Sequence, residues 1–271
     1  MKRQLIILAA PAVAFWPVWR WYAARAGGSA DEAWGLLAFA CAVYFFWRGR
    51  AGREAAGPGL LFPALLVLLY AASYALLPPL ARGAVAFTAL GCAASVLRFG
   101  RRFHVGTLGL LYLSLPLIPS LQFYGGYPLR AFVAGTVAPL LRLGGYAVVR
   151  EGTCLNWAGR LIWVDAPCSG VRMLWVGLFV ACALACLYEL RPLKTLAALA
   201  AAFVAILLGN VVRAAALFYV EAGVVAAPPW AHDYVGVVSF AAVAGSIMLA
   251  VRQLGKVSRC DINSSTPGPA Y

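Results

Sequence analysis

Charged residues are scarce in this chain. Only 11% of its 271 residues are Asp, Glu, Lys or Arg, and 63% are hydrophobic. An ordinary soluble domain is about a quarter charged, so a water-soluble protein of this composition could not cover its apolar residues with polar surface. The composition therefore excludes an ordinary soluble domain and indicates a protein that is solvated by lipid.

Side chains that could bind a metal or carry redox chemistry are also few. The chain has two histidines, His104 and His232, and its seven cysteines form no C-x-x-C motif. The missing motif argues against a thiol oxidoreductase. The topology given below places the two histidines on opposite sides of a bilayer about 30 Å thick, which excludes a metal or haem shared between them. We therefore predict no metal site and no cofactor.

Eight apolar stretches lie between charged or Pro/Gly-rich breaks. A spanning helix needs about 20 residues, and these stretches lack the two-residue alternation of barrel strands. They predict an all-α, polytopic membrane bundle of about eight transmembrane helices, forming one integral membrane domain over residues 1–252. The predicted spans are 5–19, 33–47, 60–77, 84–97, 105–123, 171–188, 196–219 and 234–251.

Two segments are not predicted to span the membrane. Residues 124–167 are long, mixed and Gly-rich, and within them 129–149 is amphipathic at best. We expect this part to lie along the outer surface or to re-enter it. Residues 253–271 end in a run of Ser, Thr, Pro and Gly, which is typical of a disordered tail.

The basic residues predict the orientation, because cytoplasmic loops are enriched in Lys and Arg. If the N-terminus is cytoplasmic, thirteen of the 22 basic residues fall in inner segments, and six of the nine acidic residues lie on the outer side. Both termini are therefore expected in the cytoplasm. The protein itself is expected in the inner, or cytoplasmic, membrane. Because the net charge of +13 is explained by membrane-edge residues, lipid is the expected partner and nucleic acid is not.

Cys168 is a candidate nucleophile. It lies in Asp165-Ala166-Pro167-Cys168-Ser169-Gly170, directly before the sixth span. Pro and Asp are typical of a helix start, and the unpaired N–H groups and dipole of a helix N-terminus favour a thiolate. The alternative is a buried cysteine at a helix cap. Cys154 and Cys168 could also both face an oxidising periplasm, so a disulfide between them is a second alternative.

The other cysteines have a simpler interpretation. Cys182 and Cys186 are four residues apart in one span, and Cys41 and Cys92 also fall in spans. Small, soft side chains of this kind are typical of packing at helix interfaces.

His232 and Arg213 are the next candidates. His232 lies in a Pro-rich loop before the eighth span, and Arg213 ends Asn210-Val211-Val212-Arg213 in the outer third of the seventh. A loop histidine is most often only solvated, and a membrane arginine either snorkels to the headgroups or faces the bundle interior with a partner. Arg172, one turn after Cys168, has a similar position, and physical reasoning alone does not choose between the two arginines.

The predicted topology brings Cys168, Arg213 and His232 to one membrane face on three consecutive helices. A thiol, an imidazole and a guanidinium together can carry out acyl transfer: cysteine attacks a carbonyl, histidine moves protons and arginine stabilises the oxyanion.

These residues resemble the exosortase/archaeosortase family of membrane transpeptidases. Its pattern of Cys-Ser-Gly, Asn-x-x-Arg and His corresponds here to Cys168-Ser169-Gly170, Asn210-x-x-Arg213 and His232. The resemblance implies that Cys168, Arg213 and His232 are catalytic. It also implies that the substrates are exported proteins with a C-terminal signal made of a short motif, a hydrophobic span and a basic cluster. Supporting or substrate-binding roles are then expected for Ser169, Gly170, Asn210, Arg172 and Asp165.

Two other classes of function remain open at this point. A small-solute transporter would place ionisable groups near the membrane midplane, whereas those of this chain concentrate at one face. A non-catalytic membrane assembly or anchoring protein would need no reactive Cys168.

Overall fold

The computed structural model describes residues 2–27, 30–49, 57–164, 170–228 and 230–264. These residues form ten α-helices and one small antiparallel sheet. The helices are α1 (Lys2–Ala14), α2 (Trp16–Ala26), α3 (Ala30–Arg48), α4 (Leu61–Ala72), α5 (Pro79–Phe99), α6 (Val105–Ser114), α7 (Ile118–Leu143), α8 (Val171–Leu187), α9 (Pro192–Glu221) and α10 (Ala231–Ser264). The strands are β1 (Val149–Glu151), β2 (Cys154–Trp157) and β3 (Arg160–Trp163).

The chain divides into two compact units. Unit 1 comprises Met1–Leu117 and Cys182–Leu196, and unit 2 comprises Ile118–Ala181 and Ala197–Tyr271. α8 therefore begins in unit 2 and ends in unit 1.

Several helices in the described part of the chain suit a lipid environment. Three are long and apolar enough to cross a membrane, namely α5, α9 and the Ala231–Lys256 part of α10. α6 and α7 add a fourth if they form one broken span, and shorter apolar helices occur at Trp34–Arg48, Leu61–Ala72 and Val171–Leu187. The chain is an all-α membrane protein, whereas the number of eight spans and the cytoplasmic termini stay predictions.

The predicted span 105–123 is broken rather than continuous. α6 ends at Ser114, and Leu115 has an extended backbone with ψ of 151°. The next residue is Pro116, and a proline ring disfavours the helical conformation in the residue before it. The helix therefore stops at this point, and α7 begins at Ile118. The first predicted span, 5–19, is likewise divided, with α1 and α2 separated at Phe15.

Residues 124–164 are more ordered than their sequence suggests. α7 continues through them to Leu143 and buries one face, whose side chains are Val133, Ala134, Val137, Ala138 and Leu141. Their spacing is that of one face of a helix. The buried face packs against protein, in a core shared with the sheet and with α9.

The sheet that follows α7 was not predicted. Its order is β1-β2-β3, with Leu155 opposite both Arg150 and Ile162. The β2–β3 turn has positive φ at Ala158 and Gly159, of 51° and 80°, as a two-residue type I′ hairpin requires. Strands of three and four residues are too short for their alternation to be recognised in the sequence.

We call α7 together with the three strands the cap. Tyr146, which links α7 to β1, and Trp157 of β2 pack edge to face against Phe218 of α9, with ring centroids 5.7 and 5.8 Å away. Arg160 of β3 donates a hydrogen bond from Nη1 to the carbonyl oxygen of Ala222, at 3.5 Å. The cap therefore holds the C-terminal end of α9 from one side.

α10 extends into the segment predicted as a tail. The helix continues to Ser264, so it overlaps much of 253–271. Residues 265–271 lie outside the described residues.

Candidate active site

Three helices of unit 2 provide the framework of the site. A Cβ atom added to Gly177 of α8 would lie 2.8 Å from Ile206 Cγ1 of α9 and 3.2 Å from Ile247 Cδ1 of α10. Only glycine allows so close an approach of the three helices. Because they follow one another along the chain, the start of α8, the end of α9 and the start of α10 lie at one end of this bundle.

Gly170 connects the first motif to the second. It is buried and has a φ of +79°, a left-handed conformation that side chains rarely adopt. An added Cβ would lie 2.8 Å from Nδ2 of Asn210, which is only 3% exposed. Gly170 also accepts the first hydrogen bond of α8, from the N–H of Leu174 at 2.7 Å. The glycine that starts α8 therefore lies directly against the asparagine of α9.

Arg213 connects the second motif to the third. It follows Asn210 by three residues, so the two share one face of α9. The Cβ position of Gly236 on α10 lies 3.7 Å from Arg213 Nε and 3.8 Å from its Nη2. Gly236 in turn is four residues after His232, on the same face of α10. The guanidinium group therefore lies against the helix face that carries the histidine.

His232 is paired with a carboxylate that the sequence pattern does not reveal. Its Nδ1 lies 3.2 Å from Oε1 of Glu221, the last residue of α9. Both side chains are partly exposed, at 41% and 35%. A carboxylate that accepts a hydrogen bond from Nδ1–H fixes the tautomer and the ring orientation, and it leaves Nε2 for proton transfer. The sequence shows only an acidic residue at the end of an apolar helix, eleven residues before the histidine, and this pattern does not indicate a pairing.

Contacts thus link the three motifs: Gly170 lies against Asn210, and Arg213 lies against the first turns of α10, which carry His232. His232 in addition pairs with Glu221. A comparison with protein-family models matches residues 4–249 to the transmembrane exosortase model (Exosortase_EpsH). This chain belongs to the transmembrane exosortase family. No curated protein matches it, and no solved structure does.

The other residues predicted for an exosortase site differ in their placement. Cys168, Ser169 and Asp165 lie outside the described residues. Arg172 is exposed on α8, whereas Arg213 is half-buried against α10. Physical reasoning from the sequence, without the motif resemblance, does not choose between these two arginines, and burial now distinguishes them: Arg213 is the more buried of the two.

The other described cysteines and the second histidine of this exosortase-family chain lie in surroundings that suit structural roles. Cys182 and Cys186 are buried and face Gly109 and Gly106 of α6, in agreement with a packing role. Cys154 is a buried free thiol in β2, which gives no support to a disulfide with Cys168.

His104 caps the N-terminus of α6, where its Nδ1 accepts a hydrogen bond from the N–H of Thr107 at 3.3 Å. It is 9% exposed and stacks on Phe99 at 4.2 Å. Burial, with a contribution from the charge of Arg101, lowers the pKa of His104 to about 4. The imidazole is therefore neutral at neutral pH and serves as the N-cap of α6.

Proposed function

We propose that this exosortase-family protein is a membrane-embedded cysteine transpeptidase or endopeptidase. It cleaves a C-terminal sorting signal, composed of a short motif, a hydrophobic span and a basic cluster, from exported proteins. The supporting observation is the chain of contacts in unit 2 that links Gly170, Asn210, Arg213 and the His232 face of α10. The three motifs are far apart in sequence, and a family resemblance alone does not require these contacts.

Covalent geometry supports the role proposed for Cys168. A chain advances at most about 3.6 Å per residue, so the Cα atom of Cys168 is within roughly 7 Å of that of Gly170. Gly170 contacts Asn210 and follows Cys168 by two residues in the sequence, so we propose that the nucleophile acts near the helix face that carries Arg213.

The proposed reaction begins when the Cys168 thiolate attacks the scissile carbonyl carbon. The guanidinium of Arg213 stabilises the resulting oxyanion by charge-assisted hydrogen bonds. When the C–N bond breaks, Nε2 of His232 gives a proton to the leaving amine, and a thioester to Cys168 remains. Water or an acceptor amine then attacks the thioester carbon, loses a proton to His232 and releases the thiolate.

The proposed location follows from the distribution of basic residues. With both termini in the cytoplasm, the start of α8 and the loop before α10 are at the outer face of the inner membrane. An exported substrate whose own span is still in the bilayer would present its cleavage motif at this depth.

Glu221 is proposed to position His232 without contacting the substrate. We expect Glu221→Ala to lower kcat by about a hundredfold, the lower end of what general acid–base catalysis contributes, because the imidazole loses its fixed tautomer. KM should be nearly unchanged, and Glu221→Gln should recover part of kcat because its amide oxygen still accepts a hydrogen bond from Nδ1–H. The measurement is steady-state processing of a reporter in proteoliposomes at matched protein level.

The matched control is Asp233→Ala, which removes an exposed carboxylate next to His232. This variant should process the reporter at the wild-type rate. If Glu221→Ala and Asp233→Ala lower kcat equally, the negative charge near His232 matters and the specific Glu221–His232 pair does not.

The function itself is tested with exported reporters that carry a randomised short motif before a fixed hydrophobic span and a basic cluster. Co-expression with this chain should release a subset of reporters that share a motif, and mass spectrometry should locate a single cleavage point. Reporters whose basic cluster is replaced by Ser and Gln should be processed poorly. Binding of the reporters without cleavage would instead support an anchoring protein and refute the peptidase proposal.

A further inference from the structure

Unit 1 contains a cavity of about 400 Å³ that the proposed reaction does not use. Its walls come from α2, from the end of α4 and from the start of α5. The lining residues are Pro17, Val18, Arg20, Trp21, Ala24, Tyr70, Tyr74, Pro79 and Arg82. Two are arginines and none is acidic, so the cavity carries positive charge among these described residues.

Tyr70 is the most informative residue of this cavity. Its side chain is only 6% exposed, and its hydroxyl has no hydrogen-bond partner among the described residues. A buried hydroxyl without a partner costs free energy, so its presence requires an explanation. Phenylalanine would fill the same space and would still pack against Phe15, whose ring lies 4.6 Å away.

Arg82 provides a second buried donor in the same cavity. Its Nε is buried and has no hydrogen-bond partner among the described residues. Its guanidinium lies over the ring of Tyr74, 4.6 Å from the centroid, a stacking that fixes the plane of the donor fork. Gly83 keeps this wall closely packed, because an added Cβ would lie 3.3 Å from Trp21. Arg20 is exposed at the rim.

The hydrogen-bond donors of this cavity indicate what kind of ligand it would bind. The hydroxyl of Tyr70 and the guanidinium groups of Arg82 and Arg20 are donors, two of them charged, and planar guanidinium forks match phosphate oxygens in a bidentate manner. A snorkelling arginine alone would not need a buried tyrosine hydroxyl beside it. The remaining walls, including Pro17 and Val18, are apolar and suit the carbon chain next to a headgroup.

We propose that this cavity is a binding site for a phosphate group, carried by a phospholipid headgroup or by phosphate in solution. The predicted topology puts the end of α4 and the start of α5 at the outer face, at headgroup depth. This inference does not depend on the proposed peptidase function.

The test compares the thermal unfolding midpoint of the full chain in neutral detergent with three probes. These are phosphatidylglycerol, diacylglycerol with the same acyl chains, and inorganic phosphate. Phosphatidylglycerol should raise the midpoint in a saturable way, whereas diacylglycerol, which lacks only the phosphoglycerol headgroup, should not. Stabilisation by inorganic phosphate at similar concentration would identify free phosphate as the source, and stabilisation by the lipid alone would identify the headgroup.

Tyr70→Phe distinguishes binding from folding. Because the removed hydroxyl has no partner, the midpoint without lipid should be unchanged or higher, whereas affinity for the phosphate-bearing probe should fall about tenfold, as for one hydrogen bond to a charged group. Arg82→Gln should weaken binding further, and Arg25→Gln, which alters an exposed arginine outside the cavity on the same helix as Arg20, should bind normally. Equal stabilisation by diacylglycerol and phosphatidylglycerol, or wild-type affinity in both cavity variants, would overturn the proposal.

Discussion

Cys168→Ser is expected to abolish processing of an exported substrate while membrane insertion and protein level stay normal. Removal of the nucleophile from a hydrolase that acts through a covalent intermediate costs several orders of magnitude in rate. The serine hydroxyl is similar in size to the thiol but stays protonated at neutral pH, so it does not replace a thiolate. Uncleaved substrate should accumulate with its C-terminal span attached, which immunoblotting of membrane fractions measures.

The matched control for this substitution is Cys154→Ala. Cys154 is a buried free thiol of the cap, in the same unit as the candidate site. Its replacement should leave processing nearly intact, because the proposed reaction gives it no role. Normal processing by Cys168→Ser would show that the reaction does not require the Cys168 thiol.

Arg213→Lys is expected to lose nearly all processing at a normal membrane level. Removing one donor that stabilises a transition-state oxyanion costs on the order of a hundred- to thousandfold in rate. Lysine keeps the charge but not the planar fork, and Arg213 is the half-buried arginine that lies against the His232 face of α10. The measurement is the single-turnover rate at saturating reporter, which isolates the chemical step from substrate binding.

Arg172→Lys is the comparison that makes this prediction specific. Arg172 is exposed on α8, and a lysine there can still reach the headgroups or support a bound substrate. It should therefore retain substantial activity. If Arg172→Lys is inactive and Arg213→Lys is active, the assignment of the oxyanion-stabilising residue is wrong.

Long apolar helices and the order of the motifs could be predicted from the sequence. Expected spans such as 84–97 and 196–219 lie inside α5 and α9, because a long apolar run between charges permits few other structures in lipid. The helix break at Leu115 could also be predicted, since Pro116 disfavours a helical conformation in the residue before it. A single proline changes the hydrophobicity of an apolar stretch very little, so the stretch 105–123 still predicts one continuous span although the helix stops at Leu115.

Other features depend on contacts between distant residues. Nothing near Glu221 in sequence indicates that it meets His232, because the pairing is set by the length of the loop between α9 and α10. The burial that separates Arg213 from Arg172 likewise depends on how α9 packs against α10. The sheet could not be predicted because its short strands are stabilised mainly by packing on α7 and Phe218. No local sequence pattern indicates this packing.

The contrast between the cap and the loop before α10 has a consequence for substrate tolerance. Aromatic rings and the Arg160 hydrogen bond hold the end of α9, whereas residues 223–228, between Glu221 and α10, are all exposed. Segments with few buried contacts open at a lower free-energy cost than packed ones. In the proposed reaction, a bulky substrate residue beside the cleavage point would thus stretch the partly exposed Glu221–His232 pair before it displaces the guanidinium of Arg213. Bulky residues should slow the proton transfers more than they weaken stabilisation of the oxyanion.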